Sequence, residues 1–408
     1  MLDNKISPKQ AEILKNANAR WNLYTGAVRS GKSYITNILI PKRIKNLPEG
    51  RRAIIGKTET TIIRNILDPM QDMYGQKYVS DIEGKKREAT IFGKKFYCIG
   101  ANDARAVKKL QGAGLQYAVG DEITTWPEEF FQMLKSRLDK KGAKFDGTCN
   151  PEGPYHWLKK DFIDNKELDV YHQHFTIDDN PFLSDEFVKQ LKLEYTGVWY
   201  QRYILGKWVL AEGLVYPDFD DNNLYDKLPK IKQEWIAIDY GITNDTVFQH
   251  IGLGYDNKLY VMHEYRWGEA SSGSAKTDVQ LREKLQEFIL KYNITPQWIF
   301  IDPSAKSFIV ELYQHRKQFS QFGRVAKANN EVLDGIRRVS SLVANNRLMI
   351  NPKLEKLTQE FNSYSWDSKK QEVGEDKPIK EHDHGLDALR YLINGIPRIR
   401  KRVLKGGD

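Results

Sequence analysis

The chain has 408 residues, too many for one ordinary hydrophobic core, so two domains of roughly 200 residues each are expected. Hydrophobic residues make up 40% and charged residues 29%, a globular balance that excludes a predominantly disordered chain. The net charge of +9 favours a polyanionic partner such as nucleic acid, and two cysteines, Cys98 and Cys149, outside any CxxC or Cys/His cluster exclude a disulfide framework or zinc finger.

The opening residues MLDNK lack a charged-then-apolar leader pattern, and no uninterrupted apolar run approaches the roughly 18 residues of a membrane span. A soluble protein of a reducing cytoplasm, without a membrane partner, is expected.

In chain order, Asn22–Thr25 is predicted as a strand and Lys32–Ile44 as a helix, followed by predicted strands at Arg52–Gly56, Lys95–Gly100, Gln116–Val119 and Phe145–Cys149. Such alternation points to an α/β fold with a parallel-type sheet, whose ligand sits at the strand ends. Between the first strand and its helix, residues 26–33 read GAVRSGKS, a full match to GxxxxGK[ST]. Glycines at Gly26 and Gly31 let the backbone curl so that successive N–H groups face phosphates, and the helix N-terminus adds a favourable dipole. Gly26, Arg29, Ser30, Gly31, Lys32 and Ser33 therefore form a predicted ATP cradle, with Lys32 reaching the β- and γ-phosphates and the Ser33 hydroxyl ligating Mg²⁺. Arg29 has two readings: a guanidinium that neutralises charge at the γ-phosphate, or an exposed loop residue.

Asp121 and Glu122 follow the apolar run 115–120, which Gly120 interrupts. A P-loop needs such a second acidic site: Asp121 is the candidate for the Mg²⁺ shell and Glu122 the candidate base for water. Thr148 and Asn150, small polar residues at a predicted strand end, are placed either to face the nucleotide or to make an Asn-Pro turn. Asp178–Tyr203 is predicted largely helical, and Ala211–Asn222, with Gly213 and Pro217, reads as a connector. The expected organisation is a P-loop domain over 1–212, with 175–212 its helical end or linker, a connector over 213–230, a second domain over 231–397 and a basic tail over 398–408.

Beyond the connector, Glu234–Asp239, Thr246–Leu253 and Lys258–Tyr265 are predicted strands with a turn at 255–257. A helix over Thr277–Tyr292, a strand over Trp298–Asp302, and helices over Glu331–Ala344 and Asp383–Leu392 follow. This order is that of an RNase H-like α/β domain. Asp239 and Asp302 end predicted strands and Asp387 lies in a late helix, so folding alone can bring the three together. Converging carboxylates offer hard oxygen ligands to two Mg²⁺ or Mn²⁺ ions, the arrangement that cleaves phosphodiesters. His384, three residues before Asp387, shares its helix face and is a candidate metal ligand or proton carrier. Asp245 and Asp383 are secondary candidates.

Several stretches resemble the large subunits of phage terminases, particularly the PBSX-type family. They are the P-loop with its internal Arg29, residues 112–130 (GAGLQYAVGDEITTWPEEF), residues 145–158 (FDGTCNPEGPYHWL), and the acidic segments IDYG at 238–241, IDPS at 301–304 and HGLDALRY at 384–391. The resemblance covers most of residues 20–395. It implies a RecA/ASCE-like ATPase followed by an RNase H-like nuclease. Within that family, the 145–158 segment senses the γ-phosphate, and a glutamine near the N-terminus, matched by Gln10, contacts adenine. It further implies double-stranded DNA as partner, a small terminase subunit, a portal protein, and a ring of this chain on the procapsid that is compatible with a free monomer. The location implied is the cytoplasm of a phage-infected or prophage-bearing host. ATP-driven DNA packaging with endonucleolytic cutting of concatemers is the expected function. The alternatives are a helicase-nuclease or repair ATPase, and a packaging motor whose second domain only docks on a portal.

Overall fold

The computed structural model describes residues 6–102, 106, 108, 110, 112, 114–241, 245–268, 276–316, 319 and 321–395. The predicted basic tail over 398–408 and part of the 112–130 stretch lie outside them. Two compact units emerge: Met1–Lys189 with Val198–Leu210 and Gln371–Glu375, and Gln190–Gly197 with Ala211–Lys370 and Asp376–Asp408.

The first unit is built on seven strands: β1 (Trp21–Gly26), β2 (Arg51–Gly56), β3 (Glu88–Ile91), β4 (Lys94–Gly100), β5 (Leu115–Gly120), β6 (Lys144–Cys149) and β7 (Val170–Phe175). Their order is β3-β4-β2-β5-β6-β1-β7, and every pairing is parallel except β3 with β4. Every residue of β1 and β5 is buried, as central strands covered on both faces require. On one side Trp21, Phe131, Phe145 and Phe162 interlock, with ring centroids 4.8 Å apart for Phe131 and Phe162. Because β5, β6 and β1 are parallel neighbours, their C-terminal ends share one edge of the sheet. The P-loop, Asp121–Glu122 and Thr148–Asn150 therefore leave the sheet side by side.

Gly120 is the last residue of β5, so the strand includes the glycine that interrupts the apolar run. A Cβ there would stand 2.6 Å from Trp126 Cη2 and 2.7 Å from Phe145 Cζ, so the residue makes room for rings. The helical expectation for 178–203 holds for Asp185–Glu194 and Gly197–Tyr203, with a single 3₁₀ turn at Ile177–Asp179 before them. Two strands were absent from the expectation: β3, a four-residue edge, and β7, whose VYHQHF sequence is polar and mostly half-buried.

The second unit has six strands: β8 (Ile231–Asp239), β9 (Thr246–Gly254), β10 (Leu259–Trp267), β11 (Trp298–Ile301), β12 (Arg324–Lys327) and β13 (Leu348–Ile350), in the order β12-β11-β8-β9-β10-β13. An antiparallel meander of β8, β9 and β10 is flanked by β11, parallel to β8, and β13, parallel to β10. Alternation along β8 sends Ile236 and Ile238 into a core with Leu285, Phe288, Ile301 and Phe308. Asp239 consequently faces the opposite side, where the helix His384–Gly395 packs on β8, β9 and β11. That helix lies close: a Cβ on Gly395 would be 2.4 Å from Phe300 Cδ1. Among the described residues no helix is long and apolar enough to cross a membrane.

Candidate active sites

In the first unit, β1 runs into a loop whose backbone adopts positive φ at Gly26 (137°), Arg29 (56°) and Gly31 (92°). Gly26 admits no side chain, since a Cβ would lie 2.0 Å from the Phe175 carbonyl oxygen of β7. Gly31 caps the helix Lys32–Asn46 with no side-chain cap hydrogen bond, which leaves the helix start to a ligand. Ser30 Oγ donates to the Ala27 carbonyl at 2.7 Å and braces the loop from within. Lys32 is buried; its Nζ donates to the carbonyls of Gly26 (3.0 Å) and Ala27 and to Asn150 Oδ1 (3.3 Å). Burial holds its ammonium down at about 8. Arg29 and Ser33 are exposed. The Arg29 carbonyl accepts from Asn180 Nδ2 at 2.7 Å, so its backbone is held while the side chain stays in solvent. Gln10 is buried against this loop: its Nε2 donates to the Gly31 carbonyl at 3.0 Å and its Oε1 accepts from Ser7 N at 2.8 Å. Both ends of its amide are thus engaged in bracing the loop and its own helix start.

Asp121 Oδ1 accepts from Thr148 Oγ1 at 2.6 Å and Oδ2 from Asn65 Nδ2 at 2.8 Å. Both donors are neutral side chains rather than cations. Asn65 gives no signal in the sequence, where it is a lone Asn far from any motif. Glu122 sits in the left-handed region at φ 52°. Burial, then the neighbouring Asp121 carboxylate, push its carboxyl above the usual range. Asn150 joins the segments, its Oδ1 accepting from Lys32 and its carbonyl from Thr124 Oγ1 at 3.2 Å.

In the second unit, β8 and β11 pair Ile238 with Ile301, so Asp239 and Asp302 follow matched positions of adjacent parallel strands. Asp239 Oδ2 lies 2.8 Å from His384 Nδ1, and Asp302 Oδ2 accepts from Tyr391 Oη at 3.2 Å. Asp387 accepts from Arg390 Nη2 at 2.7 Å, and Arg390 also donates to Asn330 Oδ1 at 3.1 Å. Arg390 is a site residue that sequence reasoning missed, although its three-residue offset from Asp387 on a helix was the available signal. Burial pushes the Asp239 carboxyl up to about 6, against the lowering hydrogen bond of His384; Asp387 and Asp302 add to the rise. The same bond to Asp239 raises His384. Asp383 is raised by burial and by Asp387, while Asp245 is half-buried. Among the described residues no three His, Cys, Asp or Glu side chains close into a finished metal shell. The donor set nevertheless suits a divalent ion, because the carboxylates that raise Asp239 are like charges that such an ion relieves.

A carboxyl raised by folding contributes stability that is fully present below its unfolded pKa and lost as pH rises through about 6. With divalent ions chelated, Asp239→Asn is therefore expected to stabilise the protein by about 1–3 kcal/mol at about pH 8, and the gain should vanish below about pH 4. Thermal melting against pH checks this; no gain at high pH would contradict the raised carboxyl.

A profile described as the phage terminase large subunit matches residues 18–206, and one described as the terminase RNase H-like domain matches residues 239–394. The chain belongs to the phage terminase large-subunit family. This terminase is 34% identical to the large terminase of a thermophilic bacteriophage, with a TM-score of 0.87 over 96% of this chain and 99% of that one. The same phage protein in complex with ADP gives a TM-score of 0.85 at the same identity and the same coverage. The large terminase subunit of Escherichia phage T5 is 26% identical over 294 residues, and the PBSX phage terminase large subunit of Bacillus subtilis 25% over 224. These two alignments cover 66% and 47% of this terminase and 62% and 49% of the relatives' own lengths.

Proposed function

We propose that this terminase hydrolyses ATP in its first unit to drive double-stranded DNA into a procapsid, and that its second unit cuts concatemeric DNA with divalent metal ions. The observation that carries the reading is the pairing, in one chain, of a P-loop beside Asp121, Glu122, Thr148 and Asn150 with an RNase H-like domain in which Asp239 and Asp302 stand at the ends of adjacent strands and His384 and Asp387 lie on the helix packed against them. We assign 1–212 to the motor, 213–230 to the connector and 231–397 to the nuclease.

In the motor, backbone N–H groups from Gly26 to Ser33 cradle the phosphates, and Lys32 exchanges its carbonyl partners for phosphate oxygens. Ser33 and Asp121 are the residues to hold Mg²⁺, and Gln10, beside the loop, would exchange one of its two amide partners for an adenine contact. Glu122 takes a proton from the attacking water, Arg29 offsets charge building on the γ-phosphate, and Thr148 and Asn150 register its loss through Asp121 and Lys32. In the nuclease, Asp239, Asp302 and Asp387, with His384, are the residues to hold Mg²⁺ or Mn²⁺. Two such ions would supply Lewis acidity and an activated water. Asp239 orients the His384 ring, and Tyr391 fixes the Asp302 carboxylate. A DNA partner gripped through phosphates implies salt-sensitive, largely sequence-independent binding. A small terminase subunit, a portal protein and a ring of copies in the host cytoplasm complete the proposal.

The test uses the full chain. Linear duplex DNA should stimulate ATP hydrolysis, and plasmid should be cut with Mn²⁺ but not with EDTA. Absence of DNA-stimulated hydrolysis sinks the motor reading, and absence of cutting reduces the second unit to a docking module.

A further inference from the structure

Asp146, on β6, is wholly buried, yet nothing in the phosphate chemistry uses it. Its two oxygens take four hydrogen bonds: Arg43 Nε at 2.8 Å, Arg43 Nη2 at 2.9 Å, Tyr24 Oη at 2.9 Å and Tyr117 Oη at 2.9 Å. Burial, and then the Asp146 charge, push both phenols far above their ordinary range, so both remain donors.

The four side chains come from the four elements that carry the nucleotide residues. Arg43 lies on the helix that begins with Lys32, roughly three turns further on and so on the same face. Tyr24 precedes Gly26 by two residues of β1, and Tyr117 precedes Asp121 by four along β5. Asp146 precedes Thr148 by two and Asn150 by four. Even spacings keep side chains on one face of a strand. The Asp146 cluster, the Asp121–Thr148 bond and the Lys32–Asn150 bond are therefore successive rungs between the same elements.

Stability alone does not account for the lowest rung, since a buried ion pair is often no better than apolar side chains of the same volume. What it adds is direction. Apolar burial is non-directional, whereas a bidentate guanidinium–carboxylate pair adds geometric specificity to the relative position of its partners.

We propose that Asp146 is a positioning residue for ATP hydrolysis, holding the P-loop helix in axial register with β1, β5 and β6 so that Lys32, Glu122 and Asn150 meet the same phosphate. The inference rests on the ATPase reading. Its test is the full chain carrying Arg43→Met with Asp146→Leu, assayed for ATP turnover with linear DNA and for thermal melting. The apolar pair leaves the Tyr24 and Tyr117 hydroxyls without their acceptor, so the melting temperature should fall; on the chain that stays folded, kcat assayed well below melting should fall about tenfold or more while KM moves less than about threefold. Turnover within about twofold of wild type, or a rise in KM alone, overturns the inference. Should the double variant not fold, Tyr117→Phe decides: an unchanged melting temperature with kcat lowered about threefold supports positioning, and unchanged kcat overturns it. A wild-type chain that hydrolyses no ATP overturns the ATPase reading and this inference with it.

Discussion

Lys32→Ala is expected to lower DNA-stimulated ATP turnover by about a hundredfold or more while Mn²⁺-dependent plasmid cutting stays within about twofold of wild type. The Lys32 ammonium is the buried cation of the loop, held by the carbonyls of Gly26 and Ala27 and by Asn150. Alanine leaves those acceptors without their donor and removes the charge proposed to meet the γ-phosphate. Because burial depresses this ammonium to about 8, kcat/KM for ATP should also fall as pH rises past about 8, where the free enzyme loses the proton. A phosphate-release assay across pH measures both effects. Wild-type turnover in the variant would remove Lys32 from the chemistry.

Asp302→Ala should abolish plasmid cutting, a loss of at least about a hundredfold, and leave ATP turnover unchanged within about twofold. Asp239 and Asp302 leave adjacent parallel strands at matched positions, and Tyr391 aims the Asp302 carboxylate. Removing one carboxylate should also weaken Mn²⁺ binding, read by calorimetry on the full chain. Cutting that survives the substitution would make the acidic edge a surface feature of a docking module. The expected gain in stability of chelated Asp239→Asn belongs with this result. Asp239, proposed to be needed for cutting, would then be an acid whose burial costs the fold stability.

Legibility differed between the two sites for a physical reason. The P-loop was readable because eight consecutive residues carry its whole geometry: Gly26 and Gly31 turn the backbone, and Lys32 and Ser33 open the helix. Asp121, Asp239 and Asp302 were readable as acids ending apolar strand-like runs. Edge strands β3, β7, β12 and β13 escaped because three to six short or polar residues hold extended structure through their neighbours, not through propensity. His384 and Asp387 share a helix face as their spacing implied, yet their partners differ: His384 turns to Asp239, and Asp387 to Arg390. No spacing distinguishes those outcomes.

By itself, the sequence of this terminase determined where the chain turns through a glycine loop into a helix and which acids end strands, since contiguous motifs and strand periodicity are local properties. Tertiary structure alone decided that Asn65 holds Asp121, that Gln10 braces Gly31, and that Asp146 ties three strands to the P-loop helix. These contacts join residues distant in the chain, and hydrogen-bond direction, which no one-dimensional pattern encodes, selects among the many polar partners available.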